Sequence, residues 1–266
     1  MNAFFRNVLL NSLFLYGLLT PTTSAWSEEL KFGFHEAMCP MICDAKMEGQ
    51  RGYVVDILNE IGKSKGILVM VEILPKPRLL IELNANNIDF LLLPNSPIKK
   101  NNLIQTTQPI VFYTIGVMRR KDFAFQLTGV ESLEKANWGI VNGTRWRPAY
   151  QRHIDKNKGN NVTEISGVNA YDRLTKMMLG KRIDVVINNF EMLERKRKES
   201  KNPEALIVEK TTVFGDSVPL YLAFSPNNKR AESLARFFSD GMEQIRSSTK
   251  LKELSLSYGI GDHAEQ

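Results

Sequence analysis

The chain has 266 residues, of which 43% are hydrophobic and 24% are charged, and its formal net charge is +6. This length suits one large domain or two lobes. Lys and Arg are spread along the chain except for one dense run at 194–201, which also contains two glutamates and is interpreted as the solvated end of a helix. No aromatic-rich basic stripe accompanies it, so nucleic-acid binding is not expected.

Residues 1–25 have the pattern of a cleaved signal peptide. Arg6 supplies a positive charge, residues 8–19 are largely apolar, and Thr23-Ser24-Ala25 offers small residues for cleavage before Trp26. The apolar run is shorter than the roughly 20 residues that span a membrane; an uncleaved anchor is the alternative. We therefore expect a soluble mature protein in the periplasm, with no lipid anchor.

The two cysteines, Cys39 and Cys43, lie four positions apart. In an exported protein this spacing predicts a local disulfide, and a thioredoxin-like context is missing. His35 does not complete a zinc site with them, and His153 and His263 lie far away along the chain. No metal or other cofactor is expected. No common nucleophile, zinc-protease or phosphate-loop motif occurs, so we predict that the protein is not an enzyme.

Strand-like and helix-like segments alternate from residue 30 onwards, which is typical of an α/β fold. Residues 94–102 are polar and predict a loop, and residues 110–118 predict one long strand. The other predicted strands are 30–34, 68–74, 89–93, 138–141, 162–165, 184–187 and 219–225. The predicted helices are 52–64, 78–84, 147–157, 170–179, 190–198, 229–247 and 250–258. Ile88-Asp89 and Ile183-Asp184 each follow a helix and begin an apolar strand, which favours two lobes of similar build.

The stretch 136–150 (ANWGIVNGTRWRPAY) reads as a strand, a turn and the opening of a helix. At the turn Asn142-Gly143-Thr144, unpaired N–H groups and a helix dipole would face outwards and can hold a carboxylate or another anion. Arg145 and Arg147 flank Trp146, which offers an aromatic face. The alternative is an ordinary strand–helix connection with solvated arginines.

Six short motifs follow one another in a fixed order. They are Gly52-Tyr53-Val54-Val55-Asp56-Ile57-Leu58, Ile88-Asp89, the segment from Ser96-Pro97-Ile98-Lys99-Lys100 to Gln108-Pro109, the strand and turn 138–144, Ile183-Asp184, and the closing LKELSLSYG at 251–259. In this order the mature chain resembles the family 3 periplasmic solute-binding proteins, the receptors of polar-amino-acid ABC transporters.

The resemblance implies an α/β, two-lobe, type II periplasmic-binding fold with a hinge and an interlobe cleft. Lobe 1 would combine residues 26–113 with 216–266, and lobe 2 would be 114–215. The chain would cross near 113–117 and near 215–219. Ligand would lie in the cleft at the carboxyl ends of the strands, and the lobes would close on it by a hinge motion.

The family's ligand clamps carry over only in part. The arginine that holds an α-carboxylate falls at Lys99, which lacks the bidentate fork. The acidic residue that binds an α-ammonium falls at Asn188 or Asn189, where an amide cannot neutralise the charge. We therefore expect an anionic ligand, or one held by hydrogen bonds and stacking, in a cleft that is also basic at Arg78. The predicted ligand-binding residues are Arg78, Lys99, Tyr113, Asn142, Gly143, Thr144, Arg145, Trp146 and Asn189.

The leading functional prediction is a monomeric periplasmic receptor for a small polar or anionic solute, amino-acid-like or an organic acid, serving an inner-membrane ABC permease. The alternative is a sensing or partner-binding module with the same fold and no transporter, which the altered clamp positions favour. A cell-wall lytic enzyme that carries this fold is a third reading; it is not expected, because the chain to Gln266 holds no further domain.

Overall fold

Two separate β-sheets organise the chain. The computed structural model describes residues 28–35, 38–43, 49–142, 144, 146–166, 169–215 and 217–260. The predicted signal peptide lies outside these ranges. Lobe 1 denotes the part of the chain built on the first sheet, and lobe 2 denotes the part built on the second.

The first sheet takes its strands from both ends of the described chain. Strand β1 lies parallel to β2 and β3, whereas β11 runs antiparallel to β3, β4 and β5. The spatial order is β2-β1-β3-β11-β4, with β5 pairing β11 beside it. Its strands are β1 (Glu28–Phe34), β2 (Ile67–Ile73), β3 (Phe90–Leu93), β4 (Ile104–Gln105), β5 (Val111–Tyr113) and β11 (Val218–Phe224).

The second sheet is formed by consecutive middle strands. Its order is β10-β6-β9-β7-β8, with β7 parallel to both β8 and β9, and β6 antiparallel to β9 and β10. Its strands are β6 (Ile115–Arg120), β7 (Trp138–Val141), β8 (Val162–Ile165), β9 (Val185–Asn189) and β10 (Leu206–Lys210).

Helices cover both faces of each sheet, as expected for an α/β fold. The α-helices are α1 (Tyr53–Gly62), α2 (Lys76–Asn84), α3 (Asn95–Lys100), α4 (Pro148–Asn157), α5 (Ala170–Leu179), α6 (Phe190–Glu199), α7 (Ala231–Arg246) and α8 (Lys250–Ser257). Short 3-10 turns occur at Lys63–Lys65, Val130–Lys135 and Pro203–Ala205.

The hydrophobic core is divided between the lobes. In lobe 1 one cluster packs α1, α7 and α8 on one face of the sheet, around the fully buried Phe32 and Phe90, and another packs α2 and α3 on the opposite face. In lobe 2 the clusters lie around Trp138 and around Leu174. Every described cluster stays within one lobe, so little apolar packing resists a change in the angle between the lobes.

The two Ile-Asp motifs perform the same structural task in the two lobes. The backbone N–H of Asp89 donates to Lys31 O at 2.9 Å, and the Lys31 N–H donates back to Asp89 Oδ2 at 2.7 Å. Asp184 and Asn137 make the same reciprocal pair at 2.7 and 2.8 Å. Each aspartate therefore fixes the start of its strand against the neighbouring parallel strand. The repeated Ile-Asp motif in the sequence reflects this shared arrangement.

The loop of Cys39 and Cys43 covers the start of α1. The two cysteines form the predicted disulfide, with their Cα atoms 4.5 Å apart. The backbone N–H of Tyr53 donates to Pro40 O at 2.9 Å, so the loop satisfies an N–H group that the helix leaves unpaired. Gly52 has φ 104°, and a Cβ there would lie 2.7 Å from Cys43 N. Glycine is therefore required at the junction of loop and helix.

Tyr258, just after α8, links the closing motif to the opening helix motif. Its hydroxyl donates to Asp56 Oδ2 at 2.6 Å and accepts from the Gly52 N–H at 3.2 Å. Burial of the ring, followed by the bond to Asp56, raises the pKa of Tyr258 to about 12. Two motifs about 200 positions apart thus meet in one hydrogen-bonded site of lobe 1.

The structure corrects two predicted elements and shows a strand that was not predicted. The polar segment 94–102 contains helix α3 rather than only a loop, because Pro94 and Pro97 begin a short helix. The predicted strand 110–118 is two strands in different sheets, separated at Thr114. The prediction also missed β10, a half-exposed edge strand whose apolar pattern is weak.

Candidate solute-binding site between the lobes

The candidate site lies where the parallel strands of both sheets end. In open α/β sheets, ligands bind beyond the carboxyl ends of the strands, where loops and helix N-termini are presented. In the first sheet these ends are Phe34, Ile73 and Leu93, and in the second they are Val141, Ile165 and Asn189. The connections after these six residues are the candidate solute contacts.

The two crossings between the lobes are held side by side. Thr114 joins β5 of the first sheet to β6 of the second, and its carbonyl accepts the Phe190 N–H at 2.9 Å. On the return crossing, the Thr211 N–H donates to Ile115 O at 3.0 Å. Both crossings are thus bonded to lobe 2 close to one another, and two short adjacent connections between lobes are the arrangement of a hinge.

A cluster of two tyrosines and one amide lies at the carboxyl end of β9. The Tyr113 hydroxyl donates to Asn188 Oδ1 at 2.6 Å, and this oxygen also accepts the Asn189 N–H at 2.6 Å. Asn188 Nδ2 in turn donates to the hydroxyl of Tyr171 in the first turn of α5. Because Tyr113 belongs to the first sheet and Asn188 to the second, the cluster lies at the junction of the lobes. It presents neutral hydroxyl and amide groups.

Asn189, predicted as a ligand-binding residue, is directed into lobe 2 instead of towards the cleft. The residue is fully buried, and its Oδ1 accepts the Met192 N–H at 2.9 Å as the N-cap of α6. Its Nδ2 donates to Glu191 at 2.7 Å. The amides of both asparagines are bonded within the protein, but Asn189 is fully buried whereas Asn188 is half-buried at the junction of the lobes. Of the two asparagines at this position, Asn188 is therefore the better candidate for a solute contact.

The predicted anion turn connects β7 to α4. Asn142 is exposed and its N–H donates to Ile165 O at 2.8 Å, and Thr144 is half-buried with its N–H directed to Val141 O at 3.3 Å. Gly143 and Arg145 lie outside the described residues. The turn comes directly after a carboxyl end of the second sheet, where the sequence predicts it. The expectation of unpaired N–H groups is wrong for Asn142 and Thr144, because both N–H groups are directed to carbonyl oxygens of lobe 2.

Trp146 and Arg147 turn towards lobe 2 itself. The Trp146 ring lies 4.7 Å from that of Trp138 and 6.3 Å from that of Phe214, so it belongs to the aromatic core rather than presenting an open face. Arg147 Nη2 donates to Phe214 O at 2.6 Å. These contacts favour a structural role for both side chains, in which Arg147 anchors α4 to the return crossing.

The predicted cations of lobe 1 lie on two different helices. Arg78, with 61% of its side chain exposed, pairs with Glu82 one turn later on α2. Lys99 is exposed on α3, the helix that comes after the carboxyl end of β3. Lys99 thus lies in the last turn of the helix that follows a strand end and stays a predicted solute contact, while the charge of Arg78 is partly neutralised. The structure brings together Asn142 with Thr144, and Tyr113 with Asn188.

Tyr171 was not predicted from the sequence. A usable indication was its place in the first turn of a helix after a parallel strand, because such helix N-termini face the cleft. Its aromatic ring and hydroxyl suit a polar solute. The sequence around residue 171 predicts only an amphipathic helix, so Tyr171 was not recognised as a candidate solute contact.

The remaining sequence features show no competing chemistry. The basic run on α6 is internally paired, with Arg197 held by Glu194, Arg195 by Glu199, and Lys196 by Asp172. Within the described ranges, no three His, Cys, Asp or Glu side chains come together as a metal site would require. Among these same residues, no helix has the length and apolar character that crossing a membrane demands.

Comparison with known proteins shows what the fold is similar to. No family model matches the sequence, and no curated protein matches it. A structure from glutathione import via GshT and the cystine ABC importer TcyBC of Streptococcus mutans matches with a TM-score of 0.71, at 14% identity over 90% of this chain and 98% of the other. An ancestral arginine-binding protein bound to arginine matches with a TM-score of 0.67, at 14% identity over 86% and 97%.

A histidine kinase sensor domain similar to periplasmic binding proteins matches almost as well. Its TM-score is 0.65, at 14% identity over 86% of this chain and 95% of the other. The matches span nearly the full length of each solved chain. They confirm the predicted two-lobe fold of periplasmic binding proteins, and at this identity they establish the fold alone.

Proposed function

We propose that the chain is a periplasmic solute-binding protein that closes its lobes on a small polar or anionic solute. In this proposal residues 1–25 are a removed signal peptide, lobe 1 comprises 26–113 and 216–266, and lobe 2 comprises 114–215. The observation that carries it is the two-sheet arrangement, in which parallel strands of both lobes end beside a two-segment hinge. The mature protein would act as a monomer with an inner-membrane permease.

The chemistry of the site favours a solute without a strongly held ammonium group. The position of the family's acidic clamp carries Asn188, whose Oδ1 already accepts two short hydrogen bonds. Lys99 offers a positive charge from lobe 1, and the turn at Asn142 and Thr144 offers the amide and hydroxyl side chains of these two residues from lobe 2. We therefore propose these residues, with Tyr113 and Tyr171, as the solute contacts. An organic acid or an amino-acid derivative suits this set better than a free zwitterion.

A thermal-shift screen tests the proposal directly. A solute at 100 times its Kd stabilises the native state by about 2.7 kcal/mol, which raises the Tm of a protein of this size by roughly 5–10 °C. We expect small organic acids and N-blocked amino acids to give such shifts, and free amino acids to give smaller ones. If no anionic or polar solute in the panel moves the Tm, the proposal fails.

Adjacent asparagines provide a matched pair of variants for the site. Asn188→Asp restores a carboxylate at the clamp position and is expected to shift the preference towards solutes with an ammonium group. Asn189→Asp places the same change in a buried helix cap, where the new carboxylate still caps α6 but faces the carboxylate of Glu191. This control should lower stability but leave solute preference unchanged. Equal effects of the two substitutions on solute preference would contradict the assigned site.

A sensing role is the second candidate function. It is favoured by the near-equal likeness to a histidine kinase sensor domain and to transport receptors. The discriminating experiment is affinity purification of the tagged protein from detergent-solubilised membranes. Recovery of a permease and its ATPase supports uptake, whereas recovery of a signalling protein without them supports sensing.

A further inference from the structure

A small cavity lies behind the hinge, where the two lobes meet. Its volume is about 30 Å³, and its lining belongs to lobe 1 except for Glu191 in the first turn of α6. Tyr53 and Arg246 are the other polar side chains in that lining, and Phe112 forms part of the apolar wall. The cavity therefore brings a cation of lobe 1 and a carboxylate of lobe 2 to the lining of one small space.

Arg246, the last residue of α7, is incompletely paired. Its Nη2 donates to Pro109 O at 2.6 Å, its Nη1 to Gln108 Oε1 at 3.4 Å, and its guanidinium lies 5.9 Å from the Phe112 ring centre. Its Nε is buried without a hydrogen-bond partner, and within the described ranges Arg246 forms no ion pair. Burial lowers the pKa of Arg246, as expected for a partly desolvated cation.

Glu191 is fixed to the moving side of the hinge. It comes directly after Phe190, whose N–H is bonded to the crossing residue Thr114, and its carboxylate accepts a bond from Asn189 Nδ2 at 2.7 Å. Arg246, in contrast, holds Gln108 and Pro109 on the lobe 1 side of the same crossing. A link between Glu191 and Arg246 would therefore span the hinge.

The size and the polar lining of the cavity match one water molecule. A buried water needs a cavity of at least about 10–15 Å³ and two to four polar partners. A hydrogen bond through a water is nearly as favourable as a direct one, because immobilising the water costs little entropy. We propose that a single water, accepting from Arg246 Nε and donating to the Glu191 carboxylate, couples the two lobes and favours the interlobe angle seen in this structure. Tyr53 is positioned to provide the third contact.

This coupling changes the free energy of lobe closure and has no effect on which solute is bound. Turning lobe 2 about Thr114 moves Glu191 relative to Arg246, so closure or further opening must stretch or break the bridge. The bridge therefore adds to the free energy that solute binding has to supply, and its loss should make the lobes populate other angles more readily. The inference rests on the proposed hinge motion but on no particular solute.

A double-mutant cycle on the interlobe distance tests the inference. Spin labels at the exposed residues Ser64 of lobe 1 and Asn160 of lobe 2 report the distance distribution by pulsed electron resonance, with no solute added. Glu191→Gln and Arg246→Gln should each raise the population of distances away from that of this structure, and the double variant should do no more than either alone. We expect a coupling of at least about threefold in the population ratio. Additive effects would overturn the inference.

Two further variants separate the water bridge from a general loss of charge or of stability. Arg246→Lys keeps the charge but removes Nε, so its coupling to Glu191→Gln should also disappear; full retention would overturn the bridge. Arg236→Gln removes an exposed charge from the same helix and should leave the distances unchanged. A high-resolution crystal structure should show a water peak beside Arg246 Nε, and an empty cavity there would contradict the proposal. These measurements need no solute, so they test the water bridge even if the solute screen finds no ligand.

Discussion

Replacing Tyr258 by Phe removes one hydroxyl that joins the two ends of lobe 1. The bond to the Asp56 carboxylate is 2.6 Å long, and the bond from the Gly52 N–H is 3.2 Å. A hydrogen bond to a charged group contributes about 1.5–3 kcal/mol, and a neutral one contributes about 0.5–1.5 kcal/mol. Since Tyr258 and Asp56 are half-buried, the lower ends apply. We expect the free energy of unfolding to fall by about 2 kcal/mol.

Urea unfolding of the mature protein, monitored by circular dichroism, measures this loss, and the Tm should fall by roughly 4–8 °C. Tyr221→Phe is the matched control, because the Tyr221 hydroxyl makes no hydrogen bond within the part of the chain that the structure describes. The control should change the free energy by less than about 0.5 kcal/mol. If the two variants lose the same small amount, the assigned link between the motifs is refuted.

The same hydroxyl makes stability depend on alkaline pH. The pKa of Tyr258 is raised from 10.0 to about 12 in the folded protein, so folding favours the protonated phenol. Its contribution is fully present below pH 10 and is lost as the pH rises towards 12. Tyr53, whose pKa burial also raises to about 12, acts in the same direction. Tyr258→Phe should therefore lose stability less steeply than the unmodified protein above pH 10.

Three further perturbations test other parts of the fold. Arg120 pairs with both the buried carboxylate of Asp184, at 2.9 Å, and the exposed carboxylate of Asp122, at 3.0 Å. Asp184→Asn weakens the less exposed of these two bonds and should cost about 2 kcal/mol in urea unfolding, whereas Asp122→Asn, at the exposed partner of the same arginine, should cost less than about 1 kcal/mol. Burial lowers the pKa of His153 below its usual 6.5, so the folded protein favours the neutral ring. The free energy of unfolding should therefore be highest above pH 6.5 and should fall as the pH drops through the lowered pKa. His153→Gln should make this pH dependence less steep. Reducing the disulfide of Cys39 and Cys43 should lower the unfolding free energy by about 2 kcal/mol, an effect that a double-serine variant must lack.

The order of strands and helices could be predicted because it depends on local patterns. Alternating apolar runs and turn residues located nearly every element, and the repeated Ile-Asp start anticipated two lobes of similar build. The break at Thr114 could not be read in this way. Residues 110–118 are apolar except for Thr114 and Gly116, and one threonine within a strand-like run does not predict that the segment divides between two sheets.

The candidate site was predicted less well because side-chain direction is a tertiary property. Trp146 and Asn189 have the right residue types at the right places in the sequence. Yet the packing of Trp146 against Trp138, and the capping of α6 by Asn189, direct both side chains inwards. Asn188 differs from Asn189 by one position along a strand, which is enough to place it on the other face. No sequence pattern distinguishes the two.

The motifs that make this chain resemble a known family mostly form hydrogen bonds within a lobe. Gly52 and Asp56 are bonded to Tyr258, and Asp89 and Asp184 each secure a neighbouring strand; none of these contacts requires a solute. The predicted clamp positions, Lys99 and Asn188, are where the sequence departs from the pattern that it resembles. Solved structures at 14% identity share the fold of this chain, so the packing contacts alone do not indicate which solute is bound. The test on Asn188 and Asn189 is therefore more informative about function than any comparison of overall shape.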